Sequence, residues 1–204
     1  MSERLPRLIY NRRPGAGTLA LILLAVVVIG LALGGEQARL ALRFDRGPIA
    51  DGELWRLLSG HVVHLGWRHA LLDLAAALMI GTLFAGRFGL ARWLWGGLAS
   101  ALAVDAGLWW LNPAIDWYVG LSGVLHGALA AVVVSLAREG ERAGYFLLAA
   151  LLAKLAFEQW FGPLWMTAEA AGGPVIVAAH LYGALGGALA AVVPRARPSA
   201  VYNR

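Results

Sequence analysis

Residues 19–34 read LALILLAVVVIGLALG, with no charged or polar side chain among them. They form the centre of an uncharged run from Pro14 to Gly35. A helix of about 20 apolar residues, rising about 1.5 Å per residue, crosses the roughly 30 Å hydrocarbon core of a bilayer. An uncleaved signal sequence is the alternative, but the length of the run and the apolar segments after it favour a retained helix. This stretch therefore predicts a membrane protein.

Five more apolar segments follow along the chain. The six predicted spans cover residues 14–35, 66–86, 91–111, 117–137, 143–160 and 174–193. Alanine, leucine and glycine dominate these segments, and small residues let helices pack closely in lipid. The sequence therefore predicts a single all-α domain over residues 1–204, a bundle of six transmembrane helices.

The composition agrees with a membrane-embedded chain. Hydrophobic residues make up 60% of it and charged residues only 14%, whereas a soluble domain carries about 25% charged residues. The 17 basic residues are scattered around apolar runs, so they indicate topology rather than nucleic-acid binding. The absence of cysteine excludes a disulfide framework and a thiolate metal site. We predict the lipid bilayer as a partner, and no nucleic acid, cofactor or metal.

Basic residues concentrate in alternate connections between the spans. They are Arg4, Arg7, Arg12 and Arg13, then Arg87 and Arg92, Arg138 and Arg142, and finally Arg195, Arg197 and Arg204. The loops at 112–116 and 162–173 carry no Lys or Arg. Because cytoplasmic loops are the basic ones, both termini are predicted to be cytoplasmic. The long polar loop at 36–65 is an exception, since it would hold four arginines on the outer side.

Several polar side chains lie within these apolar spans. They are His69, Asp73, Asp105, Ser122, His126, Lys154, Glu158 and His180. Polar groups are costly in lipid, so each is a candidate functional residue. Counting about 1.5 Å per residue from the outer ends of the spans places Ser122 and His180 roughly 8 and 9 Å deep, and His69 and Asp73 roughly 5 and 10 Å deep. A hydroxyl and two imidazoles from three helices are thus predicted at one level.

Ser122 and His180 suit nucleophilic catalysis. A serine hydroxyl is a poor nucleophile until a base takes its proton, which neutral imidazole does near neutral pH. Ser122 lies in the sequence GLSG, whose other residues are Gly120, Leu121 and Gly123. The glycines leave room for a substrate backbone, and the N-terminal end of the helix offers N–H groups and a positive dipole to an oxyanion. A donor from His69 could complete that site.

The sixth span also carries a packing pattern. Residues 179–187 read AHLYGALGG, in which Gly183 and Gly187 form a small-xxx-small face. Such a face, like GxSG taken alone, is typical of close helix packing. Only the combination is specific, with GLSG at one outer helix end and the histidine of AHLYGALGG at a matched depth in a later helix.

Together these residues resemble the rhomboid intramembrane protease family. Its pattern is GxSG in the fourth helix and AHxxGxxxG in the sixth, with a His-rich second helix ending HxxxN. The three appear here at residues 120–123, at 179–187 and, as HVVH followed by HALLD, at 61–73. The resemblance covers nearly the whole chain and implies a Ser122–His180 dyad, with His69 at the oxyanion site. It also implies a bacterial inner-membrane protein whose six-helix fold opens toward the outer, periplasmic side.

Asp73 departs from the family pattern, which has Asn at this position. An asparagine amide donates to the oxyanion, whereas an ionised carboxylate cannot donate and would repel it. Either desolvation keeps Asp73 protonated, or Asp73 orients His69 instead.

His126 is a second departure, because rhomboids often have a Tyr there that packs on the catalytic histidine. The sequence GLSGVLHG at 120–127 resembles the rhombosortase branch of the family. That branch is associated with substrates that bear a C-terminal Gly-Gly motif, a transmembrane helix and a basic tail, and that are cut and released to the cell surface. His126 is predicted to pack on His180, with a role as a competing base as the alternative.

Three charged residues remain. Lys154 and Glu158 are spaced i, i+4, so an ion pair within the membrane is the simplest explanation. The fifth helix is a candidate substrate gate in rhomboids, which would make the pair a latch. Asp105 is predicted to snorkel or to cap the outer end of the third helix.

The leading hypothesis is an intramembrane serine endopeptidase that cleaves single-span membrane proteins, near a C-terminal Gly-Gly transmembrane tail if the rhombosortase resemblance holds. One alternative is a catalytically idle relative that binds membrane helices. The other is a small transporter or proton channel with Lys154, Glu158, Asp73 and the histidines as a relay. A relay requires polar residues spread through the membrane, whereas most of these are predicted near one face.

Overall fold

The computed structural model of the chain describes residues 15–193, without the side chains of residues 165–167. Its elements are α1 (Ala16–Leu33), α2 (Gly35–Leu42), β1 (Phe44–Asp45), α3 (Arg46–Ala50), α4 (Arg56–Ser59), α5 (Trp67–Leu83), α6 (Leu90–Ala106), β2 (Trp117–Tyr118), α7 (Ser122–Arg138), α8 (Arg142–Phe161), α9 (Trp165–Ala171) and α10 (Val177–Val192). A π-helical stretch, Gly107–Leu111, continues α6. The fold is mostly helical, as predicted, with one short strand pair. The basic residues predicted to orient the two termini lie outside the described residues.

Helix length divides the six predicted spans into two groups. By length and composition, Ala16–Leu33 and Leu90–Leu111 can each cross a membrane. The helices α5, α7 and α10 have 17, 17 and 16 residues, so each is roughly 25 Å long against a core of about 30 Å. The helix α8 is longer, but Lys154 and Glu158 lower its hydropathy. Six spans and two cytoplasmic termini therefore stay predictions.

The fourth predicted span begins later than the sequence indicates. We predict a helix from residue 117, whereas α7 begins at Ser122. The strand β2 pairs antiparallel with β1, and Gly120 has a φ of +119°, which an α-helix does not accommodate. Ser122 is therefore the first residue of its helix, and the depth counted from residue 117 does not apply to it.

The polar segment at 36–65 is folded, since it contains α2, β1, α3 and α4. Its four arginines have partners within the protein. Arg39 pairs with Glu36, Arg43 with Asp45 and Arg56 with Glu53, while Arg46 donates to the carbonyls of Leu108, Trp109, Asn112 and Ile115. Arginines that are paired or hold loops together are structural, which accounts for their departure from the predicted charge pattern.

The centre of the fold is the packing of α10 against α7 and α6. A Cβ added at Gly183 would overlap the main-chain carbonyl of Gly123, and one at Gly187 would overlap that of Gly127. The two backbones therefore touch at a crossing that only glycine permits. Gly183 and Gly187, the predicted packing residues, both lie at this crossing.

At the C-terminal end of α7, arginines link this helix to the neighbouring segments by hydrogen bonds. Arg87 hydrogen-bonds Glu139, and this bond holds the pKa of the Glu139 carboxyl below its usual range. Arg92 and Arg138 both donate to the carbonyl oxygen of Ala191 near the end of α10, where a helix dipole favours cations. The end of α7 that carries Ser122 is thus the one opposite these arginines.

Candidate active site

Ser122 and His180 are in contact across the α7–α10 interface. The Oγ atom of Ser122 lies 3.0 Å from Nε2 of His180. Ser122 begins α7, and His180 lies in the first turn of α10. The imidazole is buried, with 5% of His180 exposed. A hydroxyl within hydrogen-bond reach of a base is the geometry that nucleophilic catalysis requires.

A carboxylate lies at the other nitrogen of the same ring. The Oε2 atom of Glu158 is 2.9 Å from Nδ1 of His180, and only 1% of Glu158 is exposed. Glu158 belongs to α8, so three helices each contribute one side chain to a continuous row of hydroxyl, imidazole and carboxylate. This contact was not predicted from the sequence, because an ion pair with Lys154 was a sufficient explanation for Glu158.

That ion pair is present, and both of its members have further partners. Nζ of Lys154 lies 2.7 Å from Oε2 of Glu158 and 2.7 Å from Nε2 of His126. The ring of His126 stacks on His180, with 4.1 Å between the ring centroids and 14° between the planes. Lys154 and Glu158 are thus part of the polar cluster around His180, and their role as a latch on a gate stays a prediction.

Both ring nitrogens of His126 are engaged. Nδ1 lies 2.7 Å from the carbonyl oxygen of Ser122, so it must carry the proton and donate it. Nε2 then accepts from the ammonium of Lys154. These contacts support the packing role predicted for His126 over a role as a competing base.

Three residues of this cluster have the ligand types of a metal site. One ligand atom each from His126, Glu158 and His180 lies within 4.8 Å of the others. The ammonium of Lys154, however, is within hydrogen-bond distance of two of these residues. A divalent cation would have to displace that charge, so the arrangement does not fit a metal ion.

Asp73 is the centre of a second buried polar group, on α5. Its Oδ2 accepts the main-chain N–H of Leu121 at 2.8 Å. The same oxygen lies 3.1 Å from Nε2 of His64 and 3.5 Å from Nε2 of His69. The Oδ2 atom of Asp73 is therefore a hydrogen-bond acceptor in this arrangement. The shorter histidine contact of Asp73 is with His64, and both explanations offered for Asp73, protonation and orientation of His69, stay predictions.

Gly120 fits against the ring of His69. A Cβ at Gly120 would lie 2.7 Å from Cε1 and 2.9 Å from Nε2 of that ring. Any other residue would therefore displace His69, besides being strained at a φ of +119°. Because Gly120 has no side chain, His69 can lie close to the turn that leads into Ser122.

Tyr118 and a His–Asp pair support this turn. The hydroxyl of Tyr118 donates to the carbonyl oxygen of Gly120 at 2.7 Å, and its ring packs edge-on against His61. Nε2 of His61 lies 3.3 Å from Oδ1 of Asp105. Asp105 is buried, with 5% exposed, so the prediction that it snorkels or caps is wrong. A buried carboxylate is costly without a polar partner, and the imidazole of His61 lies beside this one.

The structure thus gathers all the predicted polar residues around the first turn of α7, with Asp105 linked to it through His61 and Tyr118. Neither Tyr118 nor the contact of Glu158 with His180 was predicted from the sequence. The only sequence signal for Tyr118 is its place four residues before Ser122, in a segment that we predicted to be helical. For Glu158 the signal was a carboxylate inside an apolar run, which the i, i+4 lysine appeared to explain.

A hydroxyl, an imidazole and a carboxylate in contact are the groups that serine hydrolases use, here within an apolar helical bundle. The family model for the Rhomboid domain matches residues 51–197. The chain therefore belongs to the rhomboid family. No curated protein matches it.

Membership confirms the predicted family and makes the chain an integral membrane protein. Rhomboid proteins are typically intramembrane serine proteases that act on membrane proteins within the lipid bilayer. The matched residues include every polar side chain of the site described above, and α1 lies outside them.

Proposed function

We propose that this chain is an intramembrane serine endopeptidase, with Ser122 as nucleophile and His180 as general base. The observation that carries the proposal is the 3.0 Å contact between Ser122 Oγ and His180 Nε2. It joins the first turns of two apolar helices from distant parts of the sequence. A hydroxyl and an imidazole are costly to place within such a bundle, so a functional role is the default interpretation.

The chemistry follows from the contact. The Oγ of Ser122 attacks the scissile carbonyl carbon while its proton passes to Nε2 of His180. The tetrahedral intermediate collapses when His180 gives that proton to the leaving amine, which breaks the peptide bond and leaves an acyl-enzyme. Water, deprotonated by His180, then attacks the ester carbon, and the ester bond breaks as His180 returns that proton to the Oγ of Ser122. No cofactor takes part in these steps.

The oxyanion would form beside the N-terminal end of α7, where the helix dipole is positive and N–H groups of the first turn point outward. His69, whose ring lies against Gly120 with Nε2 3.5 Å from Oδ2 of Asp73, is the side chain that we assign as an additional donor. Asp73 itself acts through its hydrogen bond from Leu121 and its contacts with the histidines. The carboxylate therefore shapes the oxyanion site without donating to it.

The substrate that we propose is a membrane-anchored protein with a C-terminal transmembrane helix, a Gly-Gly motif and a basic tail. The resemblance of residues 120–127 to the rhombosortase branch supports this choice. A scissile peptide must become extended to reach Ser122, and a glycine costs about 1 kcal/mol relative to alanine in a helix interior. A Gly-Gly pair at the helix end therefore unwinds more readily than other sequences. The enzyme would lie in a bacterial inner membrane, with six spans, both termini cytoplasmic and the site facing the periplasm.

A fluorophosphonate probe tests the catalytic assignment. We expect covalent labelling of the wild-type protein in lipid, no labelling of Ser122→Ala, and only slow residual labelling of His180→Ala, at equal expression and insertion. A co-expressed protein with a membrane-anchored Gly-Gly tail should be cleaved only by the wild type, and sequencing the released end locates the cut. Labelling that persists in Ser122→Ala would remove the nucleophile assignment.

The same experiment separates the alternatives. A helix-binding relative without activity would retain the tail protein in a complex and would not react with the probe. A transporter or channel would neither react nor bind the tail. The polar residues gathered at the first turns of α7 and α10 favour the protease over a relay that crosses the membrane.

A further inference from the structure

The carboxylate of Glu158 has a position that an ion pair alone does not explain. Its Oε2 serves two partners, Nζ of Lys154 at 2.7 Å and Nδ1 of His180 at 2.9 Å. An i, i+4 pair on a membrane helix can form facing any neighbour, but this one faces the ring that contacts Ser122. The pair is also a poor source of stability, because the cost of desolvating two charges offsets their attraction.

The contact with Glu158 decides which ring nitrogen of His180 carries the proton. If Nε2 carried it, the lone pair of Nδ1 would face the carboxylate oxygen at 2.9 Å, which is repulsive. With the proton on Nδ1, the ring donates to Glu158 and leaves the lone pair of Nε2 toward Ser122. Only this second tautomer can take the proton of the serine hydroxyl.

The surrounding contacts keep the arrangement in place. His126 stacks on one face of the His180 ring and restricts its rotation. The ammonium of Lys154 bridges His126 and Glu158, which links the base, its stacking partner and its carboxylate. The ring of His180 therefore has a fixed plane, a fixed tautomer and a negative charge behind it.

We propose that Glu158 is a positioning residue of this site, so that Ser122, His180 and Glu158 form a catalytic triad assembled from α7, α10 and α8. Glu158 accepts the Nδ1–H of His180, selects the tautomer that can act as a base, and stabilises the imidazolium that forms when Ser122 attacks. It keeps its own charge throughout, and no proton passes to it. This inference rests on the proposed function, since it concerns the same site.

The test compares rates of reaction with a fluorophosphonate and rates of cleavage of a Gly-Gly tail substrate in liposomes. In Glu158→Gln we expect kcat to fall roughly 10²–10⁴-fold with little change in KM, the loss that removal of a triad carboxylate causes. Glu139→Gln makes the same chemical change at the opposite end of α7, where Glu139 pairs with Arg87, and should react at the wild-type rate.

A combined variant shows whether Glu158 acts through His180. Residues that act as a unit are not additive, so Glu158→Gln should not slow the probe reaction further once His180→Ala is present. Losses that multiply in the double variant would overturn the proposal. A Glu158→Gln variant that keeps more than about a third of the wild-type kcat would also overturn it.

Two more variants separate positioning from the ion pair and from folding. Lys154→Met removes the ammonium but leaves the bond between Glu158 and His180, so it should cost much less than Glu158→Gln; an equal loss would contradict the proposal. Glu158→Asp keeps the charge of the pair and withdraws the carboxylate by about 1.5 Å. It should fold with a near wild-type Tm yet react slowly, and full activity would overturn the inference. If the wild type itself does not react through Ser122, the proposed function fails first, and independently of any Glu158 variant.

Discussion

Replacing Gly183 by alanine should separate the two halves of the site without changing any polar residue. Gly183 of α10 lies against Gly123 of α7, next to the proposed nucleophile Ser122 and one turn from His180. A Cβ at this position would overlap the carbonyl oxygen of Gly123 and lie 2.6 Å from its carbonyl carbon. Both contacts are main-chain atoms, so neither can rotate away. The two helices themselves must move.

The size of that movement sets the expected loss. Carbon atoms in contact lie about 3.5–4.0 Å apart, so the backbones would have to separate by about 1 Å. Overpacking of this kind costs about 1–3 kcal/mol of stability. The 3.0 Å contact between Ser122 and His180 spans the same interface, and a displacement of about 1 Å at a catalytic pair costs roughly 100-fold in rate. We therefore expect Gly183→Ala to stay folded at room temperature but to react with the probe roughly 100-fold more slowly than the wild type.

The assay measures probe labelling and thermal unfolding of the same purified sample in lipid. Gly30→Ala is the matched control, because a Cβ at Gly30 of α1 meets nothing within 4 Å. That variant should be fully active and as stable as the wild type, or up to about 1 kcal/mol more stable. Wild-type labelling by a folded Gly183→Ala protein would refute the idea that this crossing sets the distance between Ser122 and His180.

Two further variants test the supporting residues. The side chain of Asp73→Asn can still accept the Leu121 N–H, but it loses the negative charge beside His64 and His69. We therefore expect kcat to fall about tenfold, which corresponds to the loss of roughly one charge-assisted hydrogen bond. Unchanged or faster turnover would exclude a required carboxylate at Asp73. His126→Tyr preserves an aromatic ring against His180, so kcat for substrate cleavage should stay within about tenfold of the wild-type value. Complete loss of cleavage would show that the imidazole has a chemical role.

Several features of this fold could be predicted because one-dimensional patterns carry them. Apolar runs predicted helices where α1, α5, α6, α8 and α10 lie, although their number as membrane spans stays a prediction. The sequences GLSG and AHLYGALGG picked out Ser122 and His180, which the structure brings into contact. Small residues at i and i+4 predict a close helix crossing whichever helices are involved. The start of α7 could not be predicted in this way. It depends on the pairing of β2 with β1, which comes from a segment 73 residues earlier, and hydropathy does not report strand pairing.

Contacts between side chains on different helices were harder to predict from the sequence than the positions of the helices. Lys154 and Glu158 form a self-sufficient pair in sequence, so nothing in α8 alone reveals that Glu158 also faces His180. The rotation of a helix about its axis is set by packing against its neighbours, and α8 has little amphipathic signal to orient it, since its apolar residues surround it on all sides. The same limit explains Asp105. Its pairing with His61 depends on how α6 faces the segment that contains α4.

The residues that stabilise this bundle and the residues proposed to carry out its chemistry lie at different levels along the helices. The polar layer at the first turns of α7 and α10 holds three buried carboxylates, on Asp73, Asp105 and Glu158, each beside a histidine. A buried carboxylate is costly for folding, and a polar partner beside it offsets that cost at best in part. The free energy that holds the helices together must then come mainly from the close apolar contacts of α6, α7 and α10 farther along the bundle. A protein built in this way can maintain a costly, fully formed polar site in an apolar surrounding, because the glycine crossings fix the helices that carry it.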